Sequence, residues 1–98
     1  MAQASRWPQL AACFARLGMP VAVVDLETTG GNMYEDRVTE VALLRFEGGK
    51  ITQHQWLVNP EQPISPFITR LTGIDDEMVA SAPVFTELAP MLLLLLRG

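Results

Sequence analysis

Asp25 and Glu27 are the residues in this chain whose type and spacing point most directly to chemistry. One residue separates them, and they follow the apolar run Val21-Ala22-Val23-Val24. That run is β-prone and reads as a strand covered on both faces. In a strand, residues i and i+2 point to the same side, so both carboxylates face one patch while Leu26 faces the opposite layer. Two carboxylates held that close repel each other, and a divalent cation between them removes the repulsion. Hard oxygen ligands of this kind suit Mg²⁺ or Mn²⁺. The same spacing also occurs on solvated strand faces. This pair differs in its position, after an apolar strand and before Thr28-Thr29-Gly30-Gly31-Asn32, where Gly and Asn supply positive φ cheaply.

The elements that must hold the pair can be read outward from it. Leu10, Phe14 and Leu17 repeat at helical spacing, which predicts a helix over Ser5 to Leu17, with Pro8 in its first turn and Gly18 just past its end. A strand over Val21 to Glu27 follows. Val38 to Phe46 predicts a second strand and Ile51 to Val58 a third, joined by the turn Glu47-Gly48-Gly49-Lys50. The three form an antiparallel meander, the opening sheet of an α/β domain. Beyond Asn59-Pro60, Ser65 caps a helix that Gly73 ends, and Asp75 caps a short one running to Val79. Phe85, Leu88, Leu92 and Leu95 share one face of a last helix, which Pro90 is expected to kink or restart.

Composition narrows the function. A chain of 98 residues has room for one domain. With 49% hydrophobic and 18% charged residues it should pack a core rather than stay disordered. A net charge of −4 argues against binding a polyanion through the surface field alone. Contact with nucleic acid then needs another source of positive charge, and bound divalent cations are one. The single cysteine, Cys13, excludes an internal disulfide and multi-cysteine zinc sites, and its helical pattern reads as a small core position. Met91 to Leu96 is far shorter than the roughly 20 apolar residues that span a bilayer, and no secretory pattern opens the chain. The expectation is a soluble, cytoplasmic protein with no membrane partner.

Four blocks carry a resemblance. Val23-Val-Asp-Leu-Glu-Thr-Thr-Gly30, Arg37-Val-Thr-Glu-Val-Ala42, Leu57-Val-Asn-Pro60 and Ile68-Thr-Arg-Leu-Thr-Gly-Ile74 resemble, in order and spacing, the DnaQ-like exonucleases of the DEDD superfamily. The style is similar to the epsilon proofreading subunit of bacterial DNA polymerase III. The resemblance runs from about residue 20 to the end, leaving residues 1–19 as an N-terminal helical extension and 20–98 as the N-terminal part of an exonuclease domain. It implies an incomplete ribonuclease-H-like α/β fold and 3′-5′ hydrolysis of phosphodiester bonds with two Mg²⁺ or Mn²⁺ ions. Asp25 and Glu27 match the family's first two acidic metal ligands. Thr28, Thr29 and Gly30 match the loop beside the terminal nucleotide, and Gly73 and Ile74 match a segment that packs against the terminal base. The implied partner is a single-stranded nucleic-acid 3′ end, DNA favoured, with a polymerase catalytic subunit as a possible protein partner.

The family's second and third motifs, with two further metal carboxylates and a histidine base, do not fall within these residues. The expectation is therefore little or no nuclease activity from this chain alone, and a sheet with an exposed apolar edge. The alternatives are a 3′-5′ exoribonuclease of the same superfamily and a non-catalytic binding or scaffold remnant. Glu40 is expected to make a structural hydrogen bond, His54 to have no catalytic part, Trp56 to be core, and most of Arg37, Arg45 and Arg70 to be solvated.

Overall fold

The computed structural model describes residues 7–97. Helix α1 (Trp7–Ala15) leads into strands β1 (Val21–Thr28), β2 (Val38–Glu47) and β3 (Lys50–Leu57), followed by helices α2 (Pro66–Thr72), α3 (Asp76–Val79) and α4 (Phe85–Leu96). The sheet order is β1-β2-β3, antiparallel at both pairings, so the expected meander is present. The first two residues of the helix expected from Ser5 lie outside the described residues. Its end is earlier than expected because the chain tightens after Ala15, with Leu17 N–H donating to the Phe14 carbonyl at 3.0 Å and Gly18 turning at φ 67°.

β2 is the central strand, and its side chains alternate between two layers. Thr39, Val41 and Leu43 are buried on one face. α4 lies over that face, with Leu88 packed against Val41 and Val58 and with Leu92 and Trp56 beside them. Arg45 points the same way. Its guanidinium donates to the Leu95 carbonyl and to Glu47, and its side chain is only 16% exposed. Arg45 is thus not a solvated surface charge: it supplies a donor to one of the carbonyls that a helix end leaves without a partner. Phe46, on the opposite face, meets Phe14 with ring centroids 5.7 Å apart, which fastens α1 to the sheet.

Local chemistry explains the connections. Gly48 and Gly49 have φ of 61° and 79°, as a two-residue primed turn requires between twisted strands. Ser65 Oγ accepts from the Ile68 N–H at 3.2 Å, and Gly73, at φ 78°, donates to the Thr69 carbonyl, so α2 has both its caps. Asp75 accepts from the Met78 N–H at 2.9 Å and starts α3. These short helices pack a second core of Ile64, Ile74 and Val79 against Leu57 and Ile68.

Three further expectations need correction. β1 is not covered on both faces among the described residues: Val23, Val24 and Leu26 are each between 44% and 48% exposed. Its apolar run reports β-propensity, while the buried contacts of α4 are to β2, β3 and Val58. Cys13 is exposed on the outer side of α1. Pro90 does not restart α4, which is helical from Phe85 to Leu96. The ring's missing N–H leaves the Thr86 carbonyl without its usual helical donor. No helix among the described residues is long and apolar enough to cross a membrane.

The β2 core contains one unsatisfied group. Thr39 is 1% exposed, and its hydroxyl has no partner among the described residues. An orphaned buried hydroxyl costs about 1–3 kcal/mol. Thr39→Val, nearly the same shape without the hydroxyl, is expected to raise stability by about 1 kcal/mol, read as a higher urea midpoint at unchanged slope. A lower midpoint would show that the hydroxyl finds a partner after all.

Candidate active site

The β1–β2 register fixes where the carboxylates stand. Asp25 pairs with Ala42 and Glu27 with Glu40, while Leu26 pairs with Val41 on the α4 side. Asp25 and Glu27 therefore share the face opposite α4. The row continues across the sheet, since Glu40 also pairs with Leu57 of β3. Leu57 belongs to the cluster of Ile64, Ile74 and Val79, so the α2–α3 segment sits on the carboxylate face too. A groove of about 360 Å³, lined by Val23, Asp25, Ala42, Leu44 and Gln53 among others, runs beside Asp25.

The ion pairs among the described residues are Arg37–Glu61 and Arg45–Glu47. Neither Asp25 nor Glu27 belongs to one. Glu40 faces Glu27 but is held by Gln55, whose Nε2 donates to its Oε2 at 2.7 Å. No group of three or more His, Cys, Asp or Glu side chains suited to a metal occurs among the described residues. His54 lies on the other face, opposite Leu43, and stacks on Trp56 at 5.5 Å.

The register slips between Glu27 and Thr28, and Thr28 pairs with Val38. Bulges of this kind re-aim side chains next to functional sites. The loop that follows is knitted by hydroxyls. Thr28 Oγ1 donates to the Gly30 carbonyl at 2.6 Å. Thr29 is 8% exposed, and its hydroxyl is fully used. It donates to Asp36 Oδ1 at 2.8 Å and accepts from the Arg37 N–H at 2.9 Å and from Gln62 Nε2 at 2.8 Å. A hydroxyl has one proton and two lone pairs, so nothing is left over. Asp36 Oδ2 accepts from the Asn32 N–H at 2.7 Å.

The residues matched to substrate contact thus fall into two groups. Thr28 and Gly30 are half-buried and Gly73 is exposed at the end of α2. Thr29 and Ile74 are buried, Ile74 to 3% exposure within its apolar cluster. Sequence reasoning passes over Asp36 and Gln62. Gly30, expected to supply positive φ in this loop, does not adopt it, and Asp36 has no signal in the sequence. Gln62 has none.

Comparison with known proteins identifies the family of the chain. An exonuclease family profile, RNase_T, matches residues 22–98. A PolC-type DNA polymerase III of Caldanaerobacter subterraneus subsp. tengcongensis is 42% identical over 77 residues, covering 78% of this chain and 6% of that protein. The 3′-5′ exonuclease DinG of Staphylococcus haemolyticus is 40% identical over 70 residues, covering 69% of this chain and 8% of that protein. The structure of exonuclease X in complex with 5′ overhanging duplex DNA superposes with a TM-score of 0.62 at 30% identity, covering 72% of this chain and 42% of that one. The chain therefore spans a small part of its curated relatives and under half of that structure. Its sheet and helices are part of the ribonuclease-H-like exonuclease fold, and the chain belongs to the RNase_T exonuclease family, whose members include the DnaQ-like 3′-5′ exonucleases.

Proposed function

We propose that Asp25 and Glu27 are metal-binding carboxylates of a 3′-5′ exonuclease that removes nucleotides from a single-stranded 3′ end. The observation that carries this is the register: both carboxylates project from the end of β1 to one face, with no ion pair to the chain's own cations among the described residues. Two hard carboxylates fit Mg²⁺ or Mn²⁺, which are commonly held by one or two carboxylates together with substrate phosphates. When bound, two such ions would supply Lewis acidity and charge neutralisation at the scissile phosphate. They would also bring a polyanion to a chain of net charge −4.

The chain's own residues divide the remaining work. Thr28, Gly30 and Gly73 offer backbone and hydroxyl groups beside the terminal nucleotide. Thr29 and Ile74 act from beneath, Thr29 by fixing the loop and Ile74 by seating the α2–α3 turn on the carboxylate face. DNA is the favoured substrate class, on the strength of the polymerase-type relative and the DNA-bound exonuclease X. A polymerase catalytic subunit is the favoured partner.

The test is paramagnetic. Mn²⁺ added to the labelled chain should broaden amide signals around Asp25, Glu27 and Ala42, and excess Mg²⁺ should reverse the effect. Asp25→Asn should weaken binding by more than the roughly 10–100-fold that loss of an outer-shell partner costs. Unchanged broadening in Asp25→Asn would sink the metal assignment. The 98-residue chain is expected to degrade 5′-labelled DNA and RNA oligonucleotides little or not at all; Mn²⁺-dependent degradation that Asp25→Asn abolishes would overturn that expectation and show which nucleic acid is cut.

A further inference from the structure

The loop after the carboxylate strand closes on one buried hydroxyl, and from that closure we infer that Asp36, with Gln62, is a positioning residue for the end of β1 and that Gly30 is glycine because the Asp36 carboxylate occupies the place of its Cβ. The functional part of this inference rests on the metal-site reading of Asp25 and Glu27; the structural part does not.

The bonds at Thr29 join three segments. Thr29 follows the last residue of β1, Asp36 and Arg37 lead into β2, and Gln62 belongs to the loop ahead of α2, with Gln62 and Thr29 33 positions apart. The backbone adds a second tie, from Thr29 N–H to the Arg37 carbonyl at 2.8 Å. Thr28 and Gly30 flank the clamped residue on either side, so the clamp determines where the loop beside the carboxylates stands.

Gly30 tests the closeness of the fit. Its φ is not in the left-handed range, unlike that of Gly18, Gly48, Gly49 and Gly73, so backbone freedom does not explain it. A Cβ at position 30 would lie 2.5 Å from Asp36 Oδ2 and 2.8 Å from its Cγ. A carboxylate at the tip of a free side chain could swing aside. This one is held at both oxygens, by the Thr29 hydroxyl at 2.8 Å and the Asn32 N–H at 2.7 Å. Moving it would strip the buried Thr29 hydroxyl of its acceptor, and a methyl group at position 30 should therefore open the same clamp that loss of Asp36 opens. Placement of reacting groups tolerates only about 1 Å of error, so a loosened loop should reach the chemistry without touching either carboxylate.

The experiment is a double-mutant cycle on the full chain, with Gly30→Ala, Asp36→Ala and the pair, plus Thr29→Val and Thr29→Ser. Amide exchange at Thr29 and Arg37, whose N–H groups lie in the clamp, reports its closure. Gly30→Ala and Asp36→Ala should each speed that exchange about tenfold, and the pair should be no faster than Asp36→Ala alone. Thr29→Val should behave like Asp36→Ala, and Thr29→Ser, which keeps the hydroxyl, like wild type. Additive effects of Gly30→Ala and Asp36→Ala, or unchanged exchange in Asp36→Ala, overturn the clamp. The functional arm titrates thymidine 5′-monophosphate in the presence of Mn²⁺. Asp36→Ala should keep Mn²⁺ broadening around Asp25 while mononucleotide affinity falls about tenfold. A loosened loop with unaltered mononucleotide affinity overturns the positioning role. Failure of the metal-site reading appears separately, as Mn²⁺ broadening that Asp25→Asn leaves intact, and leaves the exchange result standing.

Discussion

Leu43→Ala is expected to destabilise the chain by about 2–5 kcal/mol, enough to leave a substantial fraction unfolded at room temperature. Leu43 is 1% exposed in the middle of the central strand, with Val24 opposite it on β1 and His54 on β3. Removing its isobutyl group leaves a cavity that two hydrogen-bonded neighbouring strands prevent from collapsing. Chains of this size have little stability to spare. Urea unfolding, with slopes near 1 kcal/mol per molar for small domains, should show the midpoint fall by well over 1 M. The contrast with Val24→Ala is the sharper measurement. Val24 directly faces Leu43 across the ladder, but is 48% exposed. Its truncation removes less area from a less enclosed place and should cost about 1 kcal/mol or less. Equal losses at the two positions would mean that β1 is covered in solution, which would contradict the half-exposed strand seen here.

What could be read from the sequence was what short-range geometry decides. The cap pairs Ser65/Gly73 and Asp75, the Gly48-Gly49 turn and the shared face of Asp25 and Glu27 all depend on residues within a few positions of one another. The family blocks carried the fold. Features that depend on distant partners were not legible. Gln62 reaches Thr29 from 33 positions away, and nothing in a Pro-rich loop marks that glutamine among its neighbours. Arg45 looks like a strand charge until α4 places the Leu95 carbonyl over it, 50 positions later in the chain. The exposure of β1 has the same origin. Apolar β-branched residues say that a strand forms, but burial depends on which elements lie across it, and α4 packs toward β2 and β3. Within the candidate site, the shared face of the two carboxylates was therefore legible and the hydrogen bonds that tie Thr29 to Asp36 and Gln62 were not.

That exposed strand leads to the second large effect. Among the described residues β1 is hydrogen-bonded on one side only, to β2, and its other edge has no strand partner. Val23, Val24 and Leu26 stand along it about half exposed, and Leu93 and Leu94 on α4 are 71% and 63% exposed. The radius of gyration, 15.3 Å, exceeds the roughly 13 Å of a closed domain of this length, as an open layer should. An apolar strand edge is a template for pairing with another chain, and the two charges that β1 carries, Asp25 and Glu27, lie on one face and leave Val24 and Leu26 uncharged on the other. The 98-residue chain is accordingly expected to sediment as dimers and larger species at about 100 µM, and to resist salt because the contact is backbone and apolar. Val24→Lys places a charge on that edge at a half-exposed position, and should return most of the material to monomer with little change in circular dichroism. The two acidic residues on the strand add a directional check. Asp25 and Glu27 point to the same face, so edge pairing of two copies would bring four carboxylates onto one sheet surface, and Mn²⁺ should tighten the association if the metal assignment is right. A wild-type chain that stays monodisperse and monomeric at this concentration, with or without Mn²⁺, would show that the β1 edge is protected.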